Sequence, residues 1–334
     1  MANLIDVSQI EAESEVGRSA AGLLLQHSPM LATLDRLNAF ELDATEFDWD
    51  TPEATATLQT RGRGGEFTAS NLAPGTKQTG SLYFHGDAVD IDKSDIRDME
   101  LGLRDVNAHM QKKLVRKMRD FARKFDNVTM LGTGGGSPAQ LKGLTSMLNG
   151  VDDIPGFTGE KGVINAAEFS PASSPLLFDL SNSAYMDAFY EALLAWLDTV
   201  PNHNALLMEK ALFSRMTTLA RKLGLLSIVV DQFGRRLQAI NETPMIRLAD
   251  GSILTDEADD DSPSNAETTS LYIARFGEMD CSLVTNSGLA WKEFDPSDKQ
   301  SERYKWEIRS AWKIEQKDAI RRVRNIKVST FNAA

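Results

Sequence analysis

A few groups of residues in this chain have the types and spacing for chemistry. Gly132-Thr-Gly-Gly-Gly136 is the first. Glycines let a backbone approach phosphate closely, and N–H groups at a helix start bind anions. A dinucleotide loop, however, follows a buried strand that opens a βαβ unit. Here a long charged helix and the short segment Val128-Thr-Met-Leu131 come before it, and no Gly-Lys-Ser/Thr closes a phosphate loop. A tight structural turn is the expectation, with a nucleotide-binding α/β enzyme as the alternative. His85-Gly-Asp87 has the types of an acid–base pair, and two residues apart on a strand they share a face. No third group is identifiable to orient them, so a polar strand end entering a turn is expected. Asp259-Asp-Asp261 offers carboxylates to a divalent cation but lacks the spaced ligands and turn glycine of a calcium loop. It reads as a solvated charge run. Cys281 is the one cysteine, which excludes an internal disulfide, and its place in the apolar–polar alternation Met279 to Val284 points to packing. The four histidines (His27, His85, His109 and His203) are scattered, so no Cys/His metal site is expected. No catalytic residue, cofactor or metal is assigned.

The bulk numbers narrow the class. At 334 residues the chain holds one large domain or two ordinary ones, and 42% apolar and 25% charged residues suit a protein with a real core. Forty-eight acidic against 36 basic residues give a net charge of −12, which argues against gripping nucleic acid as the main task. No stretch approaches the roughly 20 apolar residues of a membrane span. The start, Met1-Ala-Asn-Leu-Ile-Asp6, lacks the basic residues and apolar run of a signal peptide.

The elements that position these residues follow in chain order. Ser8 to Phe40 reads as helix, opened by the capping box Ser8-x-x-Glu11 and interrupted at His27-Ser28-Pro29. From Asp43 to Asp92, threonine, glycine and charge dominate. The reading is a long two-stranded excursion with a Gly-rich basic tip at Arg61 to Glu66, and a disordered linker is the alternative. A lone hairpin is marginal in water, so this one is expected to rest on another copy of the chain. Leu82-Tyr-Phe84 and the Val89/Ile91 alternation give its return strand something to bury. Val106, Met110, Leu114, Met118, Phe121 and Phe125 then mark a helix from Ser94 to Phe125, about 48 Å long. Its other face carries Lys112, Lys113, Arg116, Lys117, Arg119, Arg123 and Lys124, either a solvated face or a contact surface.

Ser181 to Thr199 is a further helix with Tyr185, Phe189, Ala192, Leu193 and Trp196 along one stripe. Another is expected from an Asn204 cap to Leu223, with Gly224 after it. Strands follow at 225–231, 237–241, 245–248, 271–276, 281–284 and 304–314, with turns at Phe233-Gly234 and Asp250-Gly251. An acidic exposed loop spans Glu257 to Glu267, and a basic helix from Lys317 to Arg324 closes the chain. Trp291, Trp306 and Trp312 read as packing, not as a platform for bases. The class is α+β, without the regular alternation of a doubly wound sheet.

This succession resembles the tailed-bacteriophage major capsid proteins of the Hong Kong phage type, a fold shared with encapsulins. Four segments carry it. Ser81-Leu-Tyr-Phe-His-Gly-Asp-Ala-Val-Asp-Ile-Asp92 looks like the strand returning from the family's extended loop, and Gly132 to Leu144 like its Gly-rich turn. Asn204 to Met216, with Asp231-Gln-Phe-Gly-Arg-Arg236 and Thr243-Pro-Met-Ile246, is similar to the start of its axial domain. Trp312 to Arg322 resembles its final strand and helix.

The resemblance implies an amino-terminal arm (1–48), an extended loop (49–92), a peripheral domain with a spine helix (93–199, helix 94–126), an axial domain (200–300) and a return to the peripheral domain (301–334). It implies a coat protein that assembles into hexamers and pentamers around phage DNA, in the virion and, during assembly, the host cytoplasm. An acidic wall would enclose DNA without sequence-specific binding. Partners implied are other copies of the chain, a scaffolding protein, a portal and a decoration protein, with no membrane. No long scaffolding segment precedes the arm, so scaffolding is expected as a separate protein or not at all. An encapsulin-like compartment shell is the alternative. The contact residues expected between subunits are Arg61, Arg63, Glu66, Lys77, Arg116, Arg123, Asp259, Asp260 and Asp261. Lys77 has no asparagine partner that would make a covalent cross-link legible.

Overall fold

The computed structural model describes residues 24–51, 76–92, 106–136, 139–148, 154, 157, 162–171, 177–180, 182–230, 234, 236–253, 268–286, 290–294 and 301–328. Residues 24–27 are helical, Ser28 leaves the helical region, and α1 (Pro29–Arg36) begins with proline at its start. The Ser28 hydroxyl accepts from the Leu31 N–H at 3.1 Å, capping α1, so the chain breaks where the Ser-Pro pair predicts. Ser8 and Glu11 lie outside the described residues.

After β1 (Phe40–Leu42) come β2 (Glu46–Thr51) and β3 (Thr76–Ser81), which pair antiparallel from Glu46↔Ser81 to Thr51↔Thr76. Both lie within the expected excursion, although its expected return strand is 82–92; the tip lies outside the described residues. The expectation that the stretch finds order only on another copy is corrected at its base. Phe47 and Trp49, alternate residues of β2, turn toward the chain's own core, and the Trp49 indole N–H donates to the Ile314 carbonyl at 3.1 Å. The return strand β4 (Tyr83–Asp92) forms ten register pairs with β14 (Ser301–Ile314) of the same chain. Aromatics at alternate positions gave the stretch an intramolecular anchor.

The long helix α2 (Val106–Leu131) is 26 residues, about 39 Å. It continues past Phe125 through Val128-Thr-Met-Leu131, which had read as a separate segment. Thr129 and Met130 prolong the buried stripe of Met118, Phe121, Ala122 and Phe125. Asn127, just past the expected end, accepts from the Ser252 hydroxyl at 2.6 Å, so tertiary bonds override its weak helix preference. The expected start at Ser94 lies outside the described residues.

After the short α3 (Leu144–Met147), β5 (Val163–Asn165) and β6 (Phe178–Asp179) lead to α4 (Met186–Asp198), whose buried stripe includes Phe189, Ala192, Leu193 and Trp196, as its periodicity predicts. The next segment departs from expectation. Ala205 to Met208 is a strand, β7, and the helix α5 (Lys210–Lys222) is capped by the Glu209 carboxylate, which accepts from the Leu212 N–H at 2.8 Å. Asn204 caps no helix; its side chain donates to the Phe276 carbonyl and accepts from the Phe276 N–H. A short apolar run such as Ala-Leu-Leu-Met is ambiguous by periodicity, and burial on both faces makes it a strand. Gly224 follows α5 with φ +68°.

β8 (Leu226–Val230), β9 (Arg236–Ile240), β10 (Thr243–Arg247) and β11 (Thr268–Ala274) then build a sheet, followed by β12 (Cys281–Thr285) and β13 (Ala290–Phe294). The closing segment is the strand β15 (Ile320–Lys327), not the expected basic helix. Ile320, Val323 and Ile326 are buried at spacings of three, which mimics a helix. The cause is a bulge: Thr269↔Ile326 and Leu271↔Val323 set two steps of β11 against three of β15, and Asn325 has φ +64°.

One sheet runs β5-β15-β11-β7-β10-β9-β8 with β6 on β15, and the other β1-β12-β14-β13 with β4 on β14. β7 and β11 are buried throughout. Their alternate residues serve different cores: Leu207 and Tyr272 join the cluster under α2, whereas Leu206, Leu271 and Ile273 join the cluster beneath α4 and α5. Residues 301–327 divide between the two sheets.

Candidate functional site: assembly surfaces

Two elements among the described residues that present charged, exposed faces are the β2–β3 hairpin and α2. In Glu46-Phe-Asp-Trp-Asp-Thr51 the pleat sends Phe47, Trp49 and Thr51 inward and Glu46, Asp48 and Asp50 outward. Phe47 is 4% exposed and stacks on Trp49 with ring centroids 5.5 Å apart. Lys77 on β3 pairs with Asp48 at 2.7 Å in the open, and that bond raises the lysine's pKa. The expected contact residue Lys77 is thus engaged within its own hairpin. Glu46 and Asp50 make no ion pair among the described residues.

On α2, Arg116, Arg119, Arg123 and Lys124 are exposed, with one acid, Asp120, among them. Arg119 donates to His27 of the arm at 3.4 Å, and Lys117 reaches Asp87 of β4 at 3.4 Å. Arg116 and Arg123 make no ion pair among the described residues. Residues 116, 119 and 123 recur at three and four, so they share one face of the helix. The remaining predicted contact residues, Arg61, Arg63, Glu66, Asp259, Asp260 and Asp261, lie outside the described residues.

Those motifs that looked chemical and lie within the described residues make structural contacts. The Gly143 N–H donates to the Gly132 carbonyl at 2.7 Å, and Thr133 bridges to Lys142. A Cβ on Gly132 would stand 2.0 Å from the Leu141 carbonyl oxygen, and one on Gly143 would stand 2.6 Å from backbone of Met130 and Gly132. These glycines admit another pass of the same chain, which takes the space a phosphate would need. The His85 ring packs edge-on against Phe125 at 5.6 Å, and burial lowers its pKa. Asp87 turns to Lys117 and to the Ala88 N–H. Cys281 is buried, which pushes its thiol pKa up and leaves it unreactive. Trp306 and Trp312 are core, as expected, the latter donating to the Thr129 carbonyl at 2.9 Å.

Three features escaped the sequence reading. The acidic row on β2 is legible in the alternation, within a stretch whose composition is dominated by threonine, glycine and charge. A cavity of about 510 Å³ opens between the hairpin and the body, lined by Phe47, Trp49, Tyr83, Leu141, Lys142 and Trp312. Lys313, 7% exposed, is held by Glu41 at 2.7 Å and by Glu315 at 2.5 Å. Burial works to lower the Lys313 pKa, and the two carboxylates more than offset it, leaving the pKa raised. That triad ties β1 to β14; residues 41 and 313 are too far apart in sequence for any local signal.

No family model matches the chain, and no curated protein does either. Solved structures do. The encapsulin of the holo-SrpI complex from Synechococcus elongatus PCC 7942 superposes with a TM-score of 0.56 at 12% identity, over 91% of this chain and 90% of that one. The capsid of a native GTA particle gives 0.50 at 13% identity, over 88% and 90%. The empty form of that particle gives 0.51 at 15%, over the same shares. Likeness across nine-tenths of both chains at such low identity is likeness of fold, and the chain has the Hong Kong phage-type capsid fold.

Proposed function

We propose that this chain is a shell-building protein, the major capsid protein of a tailed bacteriophage, assembling from copies of itself into hexamers and pentamers around DNA. The observation that carries the reading is the superposition on two kinds of shell subunit over nine-tenths of the chain. The proposed role is structural and not enzymatic. Its location is the virion, with scaffolding protein, portal and decoration protein as partners. The proposed division is arm 1–48, extended loop 49–92, peripheral domain 93–199, axial domain 200–300 and closing segment 301–334.

Two surfaces support a head-to-tail contact between copies. Glu46, Asp48 and Asp50 span about 13 Å of strand, and Arg116 to Arg123 span about 10.5 Å of helix. We place the acidic hairpin face of one copy against the basic α2 face of the next, a match of opposite charge and similar length. Arg61, Arg63, Glu66 and Asp259 to Asp261 are proposed as further contacts.

The full chain, purified and imaged by negative-stain electron microscopy, is expected to form closed shells. A stable 36.8 kDa monomer by sedimentation, at every concentration and with a scaffolding protein present, would overturn the reading. The encapsulin superposition favours a second reading, a compartment shell for protein cargo. Shell contents separate the two: nucleic acid for the first, a protein for the second.

A further inference from the structure

A buried carboxyl group joins the arm to the long helix. Asp126, on α2, is 0% exposed. One of its oxygens accepts from the Ser28 hydroxyl, and the other, Oδ2, has no hydrogen-bond partner among the described residues. Ser28 is the residue at which the arm breaks between the helical turn 24–27 and α1, and the same hydroxyl accepts from the Leu31 N–H. One oxygen therefore caps α1 and fastens it to a helix 98 residues away in sequence.

We infer that the Ser28–Asp126 contact is a proton-dependent latch: it seats the arm on α2 while Asp126 carries its proton and loosens when Asp126 ionises. Burying an unpaired carboxylate is expensive. Among the described residues no cation pairs with Asp126 to offset that expense. The described titratable groups on the surrounding elements are His27, Asp35 and Arg36 on the arm, Arg116, Lys117, Arg119, Asp120, Arg123 and Lys124 on α2, His85 and Asp87 on β4, and Arg247 on β10, and none of them bonds the carboxyl. Burial accordingly raises the Asp126 pKa to about 7 from 3.8, with the Ser28 hydroxyl and the Met30 amide pulling the other way.

The direction follows from linkage. An arm that lifts off exposes Asp126 to water and returns its pKa to the ordinary range. Between 3.8 and about 7 the seated state holds a proton that the lifted state has lost. Opening therefore grows with pH across that window, by up to about tenfold per unit, and levels off above it. His27 works in the opposite sense: burial, then Arg119 and Arg123, lower its pKa, so its seating improves as pH rises through its range.

Hydrogen–deuterium exchange on the full chain, corrected for intrinsic rates, reads opening of residues 24–36 from pH 5 to 8. The wild type is expected to open more with each unit and to level off near pH 7. Asp126→Asn should be flat or follow His27 alone, and His27→Gln should keep the rise. A wild-type profile without the rise, or a rise that survives in Asp126→Asn, overturns the latch. Should Asp126→Asn not fold, infrared titration of the wild type decides. A protonated carboxyl band that disappears near pH 7 supports the inference, and no such band above pH 5 refutes it.

Discussion

β4 and the β2–β3 hairpin come from the same stretch of chain, yet they are satisfied to very different degrees. β4 finds ten register partners on β14, and Trp306 of β14 is wholly buried against Phe121 of α2, ring centroids 6.2 Å apart. The hairpin has one face anchored by Phe47 and Trp49 and the other set with Glu46, Asp48 and Asp50 in water. A strand tied along its whole length to the body is structural. An element satisfied on one side, with a charged row on the other, still has a surface to offer. The exposed arginines of α2 stand in the same relation to its buried stripe.

The sharpest way to break this contrast is Trp306→Ala. Losing a fully buried indole should destabilise the chain by about 3–5 kcal/mol in chemical denaturation, and an unchanged midpoint would mean that the β4–β14 ribbon is not part of the body. Gly143→Ala should follow, since its Cβ would meet backbone at 2.6 Å; overpacking of this kind lowers stability by about 1–3 kcal/mol. Were these glycines kept for a ligand, stability would not move. Glu41→Gln leaves Lys313 with Glu315 alone, and a loss of about 1 kcal/mol is expected in urea titration.

The smallest effect on folding, within about 0.5 kcal/mol, belongs to the pair Arg116→Glu and Arg123→Glu. The same pair should abolish shells in the microscope. Adding Glu46→Arg and Asp50→Arg should restore them if the two faces meet, whereas shells unaffected by the first pair would sink the proposed contact.

Much of the fold was legible from residue order because the physics involved is local. The break at Ser28-Pro29 follows from a side chain that caps and a ring that cannot continue a helix. The stripes of α2 and α4 follow from a repeat of 3.6, and the strands at 226–247 from turn glycines and alternation. The acidic row on β2 was equally readable, residue by residue, once strand pleating is applied.

Other features were settled only in three dimensions. Ala205 to Met208 is a strand because both its faces meet a core, a fact that no run of four apolar residues discloses. The last segment is a strand because a bulge at Asn325 displaced its alternation into a helical spacing. Ser28 with Asp126, and Glu41 with Lys313, lie far apart in the chain; burial brings them together, and only burial makes their charges matter. Sequence alone thus determined most of the elements and their polar and apolar faces, since those depend on neighbours a few residues away. Tertiary structure decided which faces are covered, because desolvation depends on what packs there.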